Sequence, residues 1–446
     1  MNQSKLMFNK RRKRNGKDMK ILVISEQIVP YQSVASIRWT KIIKYLKKKN
    51  QIEQIDVVTL KKEFEKSKKN AYWIREDELL KKDAIWIDHY YAVSLPFSLK
   101  SNSVFGWIKA GAKKIITKDP IRKRCSNVVD LYRQKKIEEL VLQYIQKEIQ
   151  IEIYDFLITS YGPDWTVFVG SKLKQAHPDL CWIADFRDQW YREWNPKNYG
   201  RLKRKAQKVI APADGLFRVN PYLELFESPM QPVFTITNGF DPQEAMQSES
   251  CDRFRILYTG TIYTTDDFDA LFRCIKELIE GNEMDQNDVV IEYAGPTLSL
   301  FYSYIQQYRL ENLFVNYDFI ARKESLELQS RASILVMAGW NSKKEKIVWS
   351  GKMYEYMMAR KPIVYLMAGD EQQCEAADQI HRLGGVCYQT IHSETSYLPL
   401  KQYILEKYVE WKQSGKVTIT REEEYVDEFS YPNIAKKVYK ILNALK

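Results

Sequence analysis

The sequence predicts an α/β protein made of two doubly wound, Rossmann-like domains facing a cleft, with a C-terminal helix crossing back to the first domain. Three observations carry this. Short apolar runs rich in Ile, Val and Phe recur along the chain with helical patterns between them, as strands buried on both faces of a parallel sheet require. The rhythm breaks once, in NGFDPQEAMQSESCDR, and then restarts. At roughly 150 residues per domain, 446 residues are too many for one ordinary core.

Taken in order, residues 1–19 form a basic tail expected to be disordered and solvated. The first domain, 20–245, carries the strands KILVIS (20–25), DVVTL (56–60), FLITS (156–160), CWIAD (181–185), GLFRV (215–219) and VFTIT (233–237). The lysine-rich stretch 61–150 shows no clear period. The second domain, 250–425, carries FRILYTG (254–260), VVIEYAG (289–295), FVNYDFI (314–320), SILVMAG (333–339), PIVYLMAG (362–369) and GVCYQT (385–390). Between the first two of these, DFDALFRCIKELIEG reads as a helix with Thr265 or Asp266 as N-cap and Gly281 at its end. In 429–446, Ile434, Val438, Ile441 and Leu442 fall at helical spacing, so this last helix should dock on the N-terminal domain.

The net charge of +12 is local. Residues 1–20 carry eight Lys/Arg against one Asp, and residues 109–124 seven against one, so the rest of the chain is close to neutral. Nucleic-acid binding therefore lacks a module to support it, whereas docking on an anionic membrane surface through these two patches fits. Cys125, Cys181, Cys251, Cys274, Cys374 and Cys387 show no CxxC or CxxH spacing, which argues against a zinc site or disulfide framework and for a reduced, cytoplasmic setting. No apolar run reaches the roughly 18 residues of a membrane span, and no apolar stretch follows the basic N-terminus as in a signal peptide.

Ligands of doubly wound sheets sit beyond the carboxyl ends of the strands, so residues there are the candidates. In the first half these are Ser33 and Arg38 after KILVIS, Gly162 in TSYGPDW, Asn238 in ITNGFDP, and Asp185, Arg187 and Asp188 in CWIADFRDQW. An internal Asp–Arg pair bracing the loop is the plain alternative for the last group. In the second half Gly260 and Thr261 close FRILYTG, and Arg322 and Lys323 follow FVNYDFI as cations for a diphosphate. In WSGKMYEYMMARKPIVYL, Ser350 caps a helix running to Arg360, with Lys352 in its first turn and Glu355 one turn in. No GxGxxG and no P-loop occurs.

In their order, VISEQIVPYQSVASIRWTKIIKYL, TSYGPDWT, WIADFRDQW, ADGLFRVN, ITNGFDP, ILYTGTIY and SGKMYEYMMARKPIVYL resemble the GT-B glycosyltransferases, and among them the family 4-like enzymes of bacterial surface polysaccharides. The resemblance spans about residues 20–370. It implies a nucleotide-sugar donor held by the C-terminal domain, a glycan or lipid-linked acceptor approached from the N-terminal domain, and transfer with no cofactor and no obligatory metal. By motif Glu355 matches the ribose-binding glutamate, Gly260 the diphosphate loop, and the DFRD residues face the reacting sugar. The chain departs from the family in two places: Ile347 stands where a second glutamate is usual, with Glu345 out of register, and TTDDFD replaces the Arg/Lys after the glycine loop.

Transfer through an oxocarbenium-like state needs cations on the departing diphosphate and a well-placed acceptor. Arg38, Arg187, Arg322 and Lys352 are the available cations, Asp185 or Asp188 would orient or deprotonate the acceptor, and Trp190 would form a wall. The competing readings are a nucleotide-sugar epimerase of the same fold and a catalytically inactive binding scaffold, which the loss of the second glutamate favours slightly.

Overall fold

The structure, a computed structural model, describes residues 19–61, 76–96, 119–188, 190, 196–223, 225, 230–247, 251–341, 350–372 and 375–446, without the side chains of 119–131, 196–202 and 375. The N-terminal tail to residue 18, most of the basic stretch 109–124, and Glu345 and Ile347 lie outside this description.

The first sheet takes β1 (Met19–Ile24), β2 (Ile52–Leu60), β3 (His89–Val93), β4 (Phe156–Ser160), β5 (Cys181–Phe186), β6 (Gly215–Arg218) and β7 (Val233–Thr235) in the order β3-β2-β1-β4-β5-β6-β7. All its pairings are parallel. Between the strands run α1 (Val34–Lys47), α2 (Glu78–Lys81), α3 (Asp119–Glu148), α4 (Trp165–Ala176) and α5 (Pro196–Ile210). The second sheet repeats the plan with β8 (Phe254–Thr259), β9 (Val289–Ala294), β10 (Phe314–Asn316), β11 (Ile334–Asn341), β12 (Ile363–Gly369) and β13 (Val386–Gln389), ordered β10-β9-β8-β11-β12-β13 and again parallel throughout. Its helices are α6 (Asp269–Glu280), α7 (Ser299–Gln307), α8 (Arg322–Arg331), α9 (Gly351–Ala359), α10 (Glu375–Arg382) and α11 (Ser393–Ser414). After α12 (Glu423–Asp427), α13 (Tyr431–Leu445) ends the chain. The expected α/β class and its two doubly wound sheets are both present.

Central strands are mainly apolar because helices cover both faces. β4 and β5 are buried at every position, and the first sheet has a core on each side, one with Trp165 and Trp182, the other with Trp39 and Phe156. In both sheets the strand order reverses beside the first strand, between β1 and β4 and between β8 and β11. Such switch points open a crevice at the strand ends.

Helix α13 crosses back as expected: Tyr431, Ile434, Ala435, Val438, Ile441 and Leu442 enter the core formed by Trp39, Ile42 and Ile43 of α1 and the first sheet. The return crossing runs beside the outward one, since Phe240 N donates to Phe429 O (3.0 Å) and Tyr431 N to Phe240 O (2.9 Å). Gly239 is required there, because a Cβ would collide with the Phe429 carbonyl and with Ile434.

Several boundaries differ from expectation for local reasons. β3 and α3 occupy part of the stretch that showed no period. β10 ends at Asn316, so Arg322 and Lys323 open α8 rather than follow a strand directly. α6 starts at Asp269, three residues past Asp266, and neither Thr265 nor Asp266 caps it. The Asp266 carboxylate instead accepts from Tyr263 N (2.8 Å), folding the loop back on itself. α9 runs from the Ser350 N-cap to a left-handed Arg360, as read, though the Ser350 side chain makes no capping hydrogen bond.

Leu442 is fully buried against the first sheet. Leu442→Ala should lower stability by about 2–5 kcal/mol, the usual cost of emptying such a site. Urea unfolding followed by tryptophan fluorescence checks this.

Candidate active site

Helix α1 follows the β1 loop and starts at the first switch point. Ser33 caps it, its Oγ accepting from Ser36 N (3.0 Å). The helix then carries Arg38, Lys41 and Lys44 at three-residue spacing into the interior, all buried. Burying an ammonium or guanidinium costs several kcal/mol unless it is paired, so the partners of these three determine the local structure.

Arg38 forms a two-pronged pair with Asp185, Nε to Oδ2 at 3.0 Å and Nη2 to Oδ1 at 2.7 Å. Its remaining nitrogen, Nη1, donates to the Thr237 carbonyl (2.7 Å) and to Asn238 Oδ1 (3.4 Å). Trp39 Nε1 (2.7 Å) and Ser160 Oγ (3.4 Å) also donate to Asp185 Oδ2. Both side chains are wholly buried. This corrects two expectations. Asp185, wholly buried with both oxygens held, cannot be reached by an acceptor, and every nitrogen of the equally buried Arg38 is held, so it cannot meet a phosphate. They brace the ends of β5 and β7 against α1, and Asn238 is part of the brace.

Lys41 Nζ lies among Asp83 Oδ2 (2.6 Å), Asp241 Oδ2 (2.8 Å) and the Glu244 carboxylate. Lys44 Nζ adds Asp83 Oδ1 (3.0 Å) and Asp241 Oδ2 (2.7 Å), and Tyr45 donates to Asp241 Oδ1 (2.5 Å). Three carboxylates so close could hold a metal ion, but here the Lys41 ammonium supplies their counter-charge. Burial alone would raise the Asp241 pKa; Lys41, with the hydrogen bonds of Lys41, Lys44 and Tyr45, outweighs it and holds the carboxyl well below its usual range. Glu244 is lowered in the same way against its burial, through Arg322 and Lys41. Such depressed carboxyls stabilise the fold above the unfolded carboxylate range and lose that contribution as pH falls through their folded values.

Arg187 presents a different environment. Nη2 donates to the carbonyls of Tyr161 (2.7 Å) and Gly162 (3.3 Å), and Nε is buried without a partner. Desolvation lowers its pKa, only partly offset by the more distant Asp185 and Asp188. Among the described residues no carboxylate comes within ion-pair distance of it. Asp188, next along the loop, is exposed, and Trp190 packs with Tyr161, Phe168 and Phe186 at centroid distances of 5.7–5.8 Å.

In the second domain Gly260 ends β8 with φ +94°, a left-handed conformation open chiefly to glycine. A Cβ there would touch the side chain of Lys352 at 3.4–3.6 Å. The Lys352 ammonium, in the first turn of α9, donates to Tyr258 Oη (2.6 Å) and to the Thr261 carbonyl (3.1 Å) and stands 4.2 Å from the Tyr258 ring centroid. Among the described residues no carboxylate approaches it within ion-pair distance, and desolvation lowers its pKa to about 8. Gly351, its neighbour, lies against Val34, so the N-terminal ends of α1 and α9 meet across the cleft.

Glu355 is half-buried, with Oε1 accepting from Arg322 Nε (3.0 Å) and Oε2 from Gln329 Nε2 (3.1 Å). Arg322 also donates from Nη2 to Glu244 Oε2 (2.7 Å), with Nη1 3.6 Å from Asp77 Oδ2. A diphosphate beside these three carboxylates would be repelled, so the expectation of Arg322 as a phosphate cation is corrected. Lys323, by contrast, is exposed, with only Glu327 nearby at 3.7 Å, and does not join the cluster.

The structure thus gathers Gly260, Thr261 and Lys352 at one spot and Glu355 with Arg322 at another, with Ser33 at the α1 end of the cleft and Gly162 with Arg187 at the ends of β4 and β5. Sequence reasoning missed Lys41, Lys44, Asp83, Asp241, Glu244, Gln329 and Tyr258. A signal for two of them existed: in IRWTKIIKYL the cations recur every third residue among apolar neighbours, which is unusual for a solvated face.

No protein-family model matches the chain, and no curated protein matches its sequence. Among solved structures it is similar to sucrose-phosphate synthase from Thermosynechococcus elongatus, at 13% identity and TM-score 0.58 over 96% of this chain and 99% of that one. It is also similar to the lipopolysaccharide outer core galactosyltransferase WaaB, at 9% and 0.53 over 96% and 99%. A UDP-N-acetylglucosamine 2-epimerase matches at 12% and 0.53 over 95% of both chains. At these identities the likeness is one of fold, and the fold is the two-domain GT-B arrangement. Since transferases and an epimerase share it, the reaction must be argued from the site.

Asp185→Asn should destabilise the protein by about 3–5 kcal/mol, because it leaves the Arg38 guanidinium buried without its charge partner. Asp188→Asn should change stability by less than about 0.5 kcal/mol, as for an exposed residue outside any network. Equal effects of the two in urea unfolding would contradict this division of roles.

Proposed function

We propose that the protein is a glycosyltransferase that moves a sugar from a nucleotide-sugar donor to a hydroxyl of a glycan or lipid-linked acceptor in surface-polysaccharide synthesis. The observation that carries this reading is Lys352. A cation held at the N-terminal end of a helix, desolvated, with Asp266 and Glu355 only partly offsetting that desolvation and no carboxylate in ion-pair distance among the described residues, raises the free energy of the unliganded protein, and an anion at that point would lower it. Gly260 leaves room beside it. The donor diphosphate would lie there, and Glu355 would take the ribose hydroxyls.

In the reaction the acceptor oxygen bonds to the anomeric carbon while the bond from that carbon to the diphosphate oxygen breaks, and the acceptor proton passes to a base. Charge grows on the departing diphosphate, where Lys352 and the first-turn amides of α9 would stabilise it. Arg187, also without a carboxylate in ion-pair distance among the described residues, would face the acceptor side, and the exposed Asp188 would orient its hydroxyl. In this reading the positive charge comes from side chains, so transfer would proceed without an obligatory metal. Tyr263 and Trp340, 65% and 41% exposed beyond β8 and near the end of β11, would offer aromatic surface to the donor. The basic stretches 1–20 and 109–124 would hold the protein to the anionic inner face of a membrane that carries the acceptor.

Purified protein screened by thermal shift against UDP, GDP, ADP and their common sugars should respond to one nucleotide. That affinity should be highest while Lys352 is charged and should weaken as pH rises through about 8. Lys352→Met should abolish the response yet raise the ligand-free melting temperature by about 2–4 °C, since a charge burial is removed. Lys352→Arg should keep binding and lose the pH step. A Lys352→Met variant that binds nucleotide as wild type does would sink the assignment, and sugar conversion without any acceptor would identify an epimerase.

A further inference from the structure

Arg322 reaches three segments of the chain at once. Its guanidinium contacts Glu355 of α9, Glu244 of the connection between the two sheets, and approaches Asp77, the N-cap of α2 in the first domain. The side chain is 8% exposed, and if it swung away Glu355 would lose its ion pair and Glu244 would keep only Lys41. On the far side of Glu355, Gln329 donates to the second oxygen; Gln329 is itself fully buried and held by Ser325 Oγ at 3.2 Å.

A carboxylate that accepts both hydroxyls of a ribose must present its two oxygens in a fixed plane. Each carboxylate oxygen has two acceptor sites. One on each oxygen of Glu355 is taken by a fixed donor, and the 21% of the side chain that remains accessible is what a diol would meet. We propose that Arg322 is the positioning residue of Glu355: it sets the plane of the ribose-binding carboxylate and anchors it to the inter-domain connection through Glu244, without touching the nucleotide itself. The inference rests on the assignment of Glu355 to the ribose. It differs from a direct phosphate contact, which the three surrounding carboxylates oppose.

The test compares a nucleoside diphosphate with its 2′-deoxy analogue, because only the ribose contact tells them apart. The probe is whichever of UDP, GDP and ADP gives the largest thermal shift, with affinities taken by calorimetry on the full chain. Wild type should prefer the ribonucleotide by about tenfold or more, as expected when a buried hydrogen-bonding site loses its partner. Glu355→Gln and Arg322→Gln should both bring the preference close to one, and Arg322→Lys should recover part of it. Because Arg322→Gln leaves carboxylates unpaired and could fail to fold, the double variant Arg322→Gln/Glu244→Gln removes cation and anion together and should show the same loss. No preference in wild type would overturn the ribose reading of Glu355. A preference lost in Glu355→Gln but kept in the arginine variants would overturn the positioning role alone. Equal weakening of both nucleotides in those variants would make Arg322 a phosphate ligand instead.

Discussion

Three cations buried on one face of one helix constrain the rest of the molecule. Arg38, Lys41 and Lys44 enter the interior every third residue, and each must find carboxylates or carbonyls there. The partners come from distant parts of the chain: Asp185 at the end of β5, Thr237 and Asn238 after β7, Asp83 before β3, and Asp241 and Glu244 on the way to the second sheet. Through Glu244 the network reaches Arg322, and through Arg322 it reaches Glu355. Replacing such ions with apolar residues can be neutral or stabilising, so their contribution here lies in fixing one arrangement of several segments. The connection that leaves the first sheet is held by charge on α1 and by the return strand beside Phe240.

Against this background Lys352 is the exception that carries meaning. Arg38, Lys41 and Arg322 each face carboxylates that raise their pKa despite burial, whereas Lys352 faces a phenol, a carbonyl and a ring, and its pKa falls. Lys352, like Arg187, is left with no carboxylate in ion-pair distance among the described residues, and where two helix N-terminal ends meet only the more distant Asp266 and Glu355 offset its desolvation. The cost to the ligand-free fold and the attraction for an anion have one source.

The parallel strands were legible because strands buried on both faces are mostly apolar, with few polar positions such as Thr159, Ser160, Asp185 and Glu292. FLITS coincides with β4 residue for residue, and FRILYTG, VVIEYAG and PIVYLMAG differ from β8, β9 and β12 by a residue. β3 was not legible, since HYYAV lies at a sheet edge with its first two positions exposed and offers no apolar run. Helix α3 was missed although Ile137, Val141 and Ile145 repeat every fourth residue; its surrounding lysines hid the stripe. At the site, Glu355 and Lys352 were readable from Ser350 before them and Pro362 after. Asp185 was misread as a base because its partners lie about 147 positions away, at Arg38, and sequence spacing carries no trace of such a pair.

The central claim is that a nucleoside diphosphate binds between Gly260, Lys352 and Glu355. A crystal structure of the protein with the nucleotide it binds best, grown near pH 7 where Lys352 is charged, tests this most directly. The diphosphate should lie against the Lys352 ammonium and the start of α9, with the ribose hydroxyls on Glu355 and Arg322 still bound to Glu244. Nucleotide density at another place, or a Lys352 ammonium that keeps Tyr258 and Thr261 as its sole partners beside bound nucleotide, would contradict it.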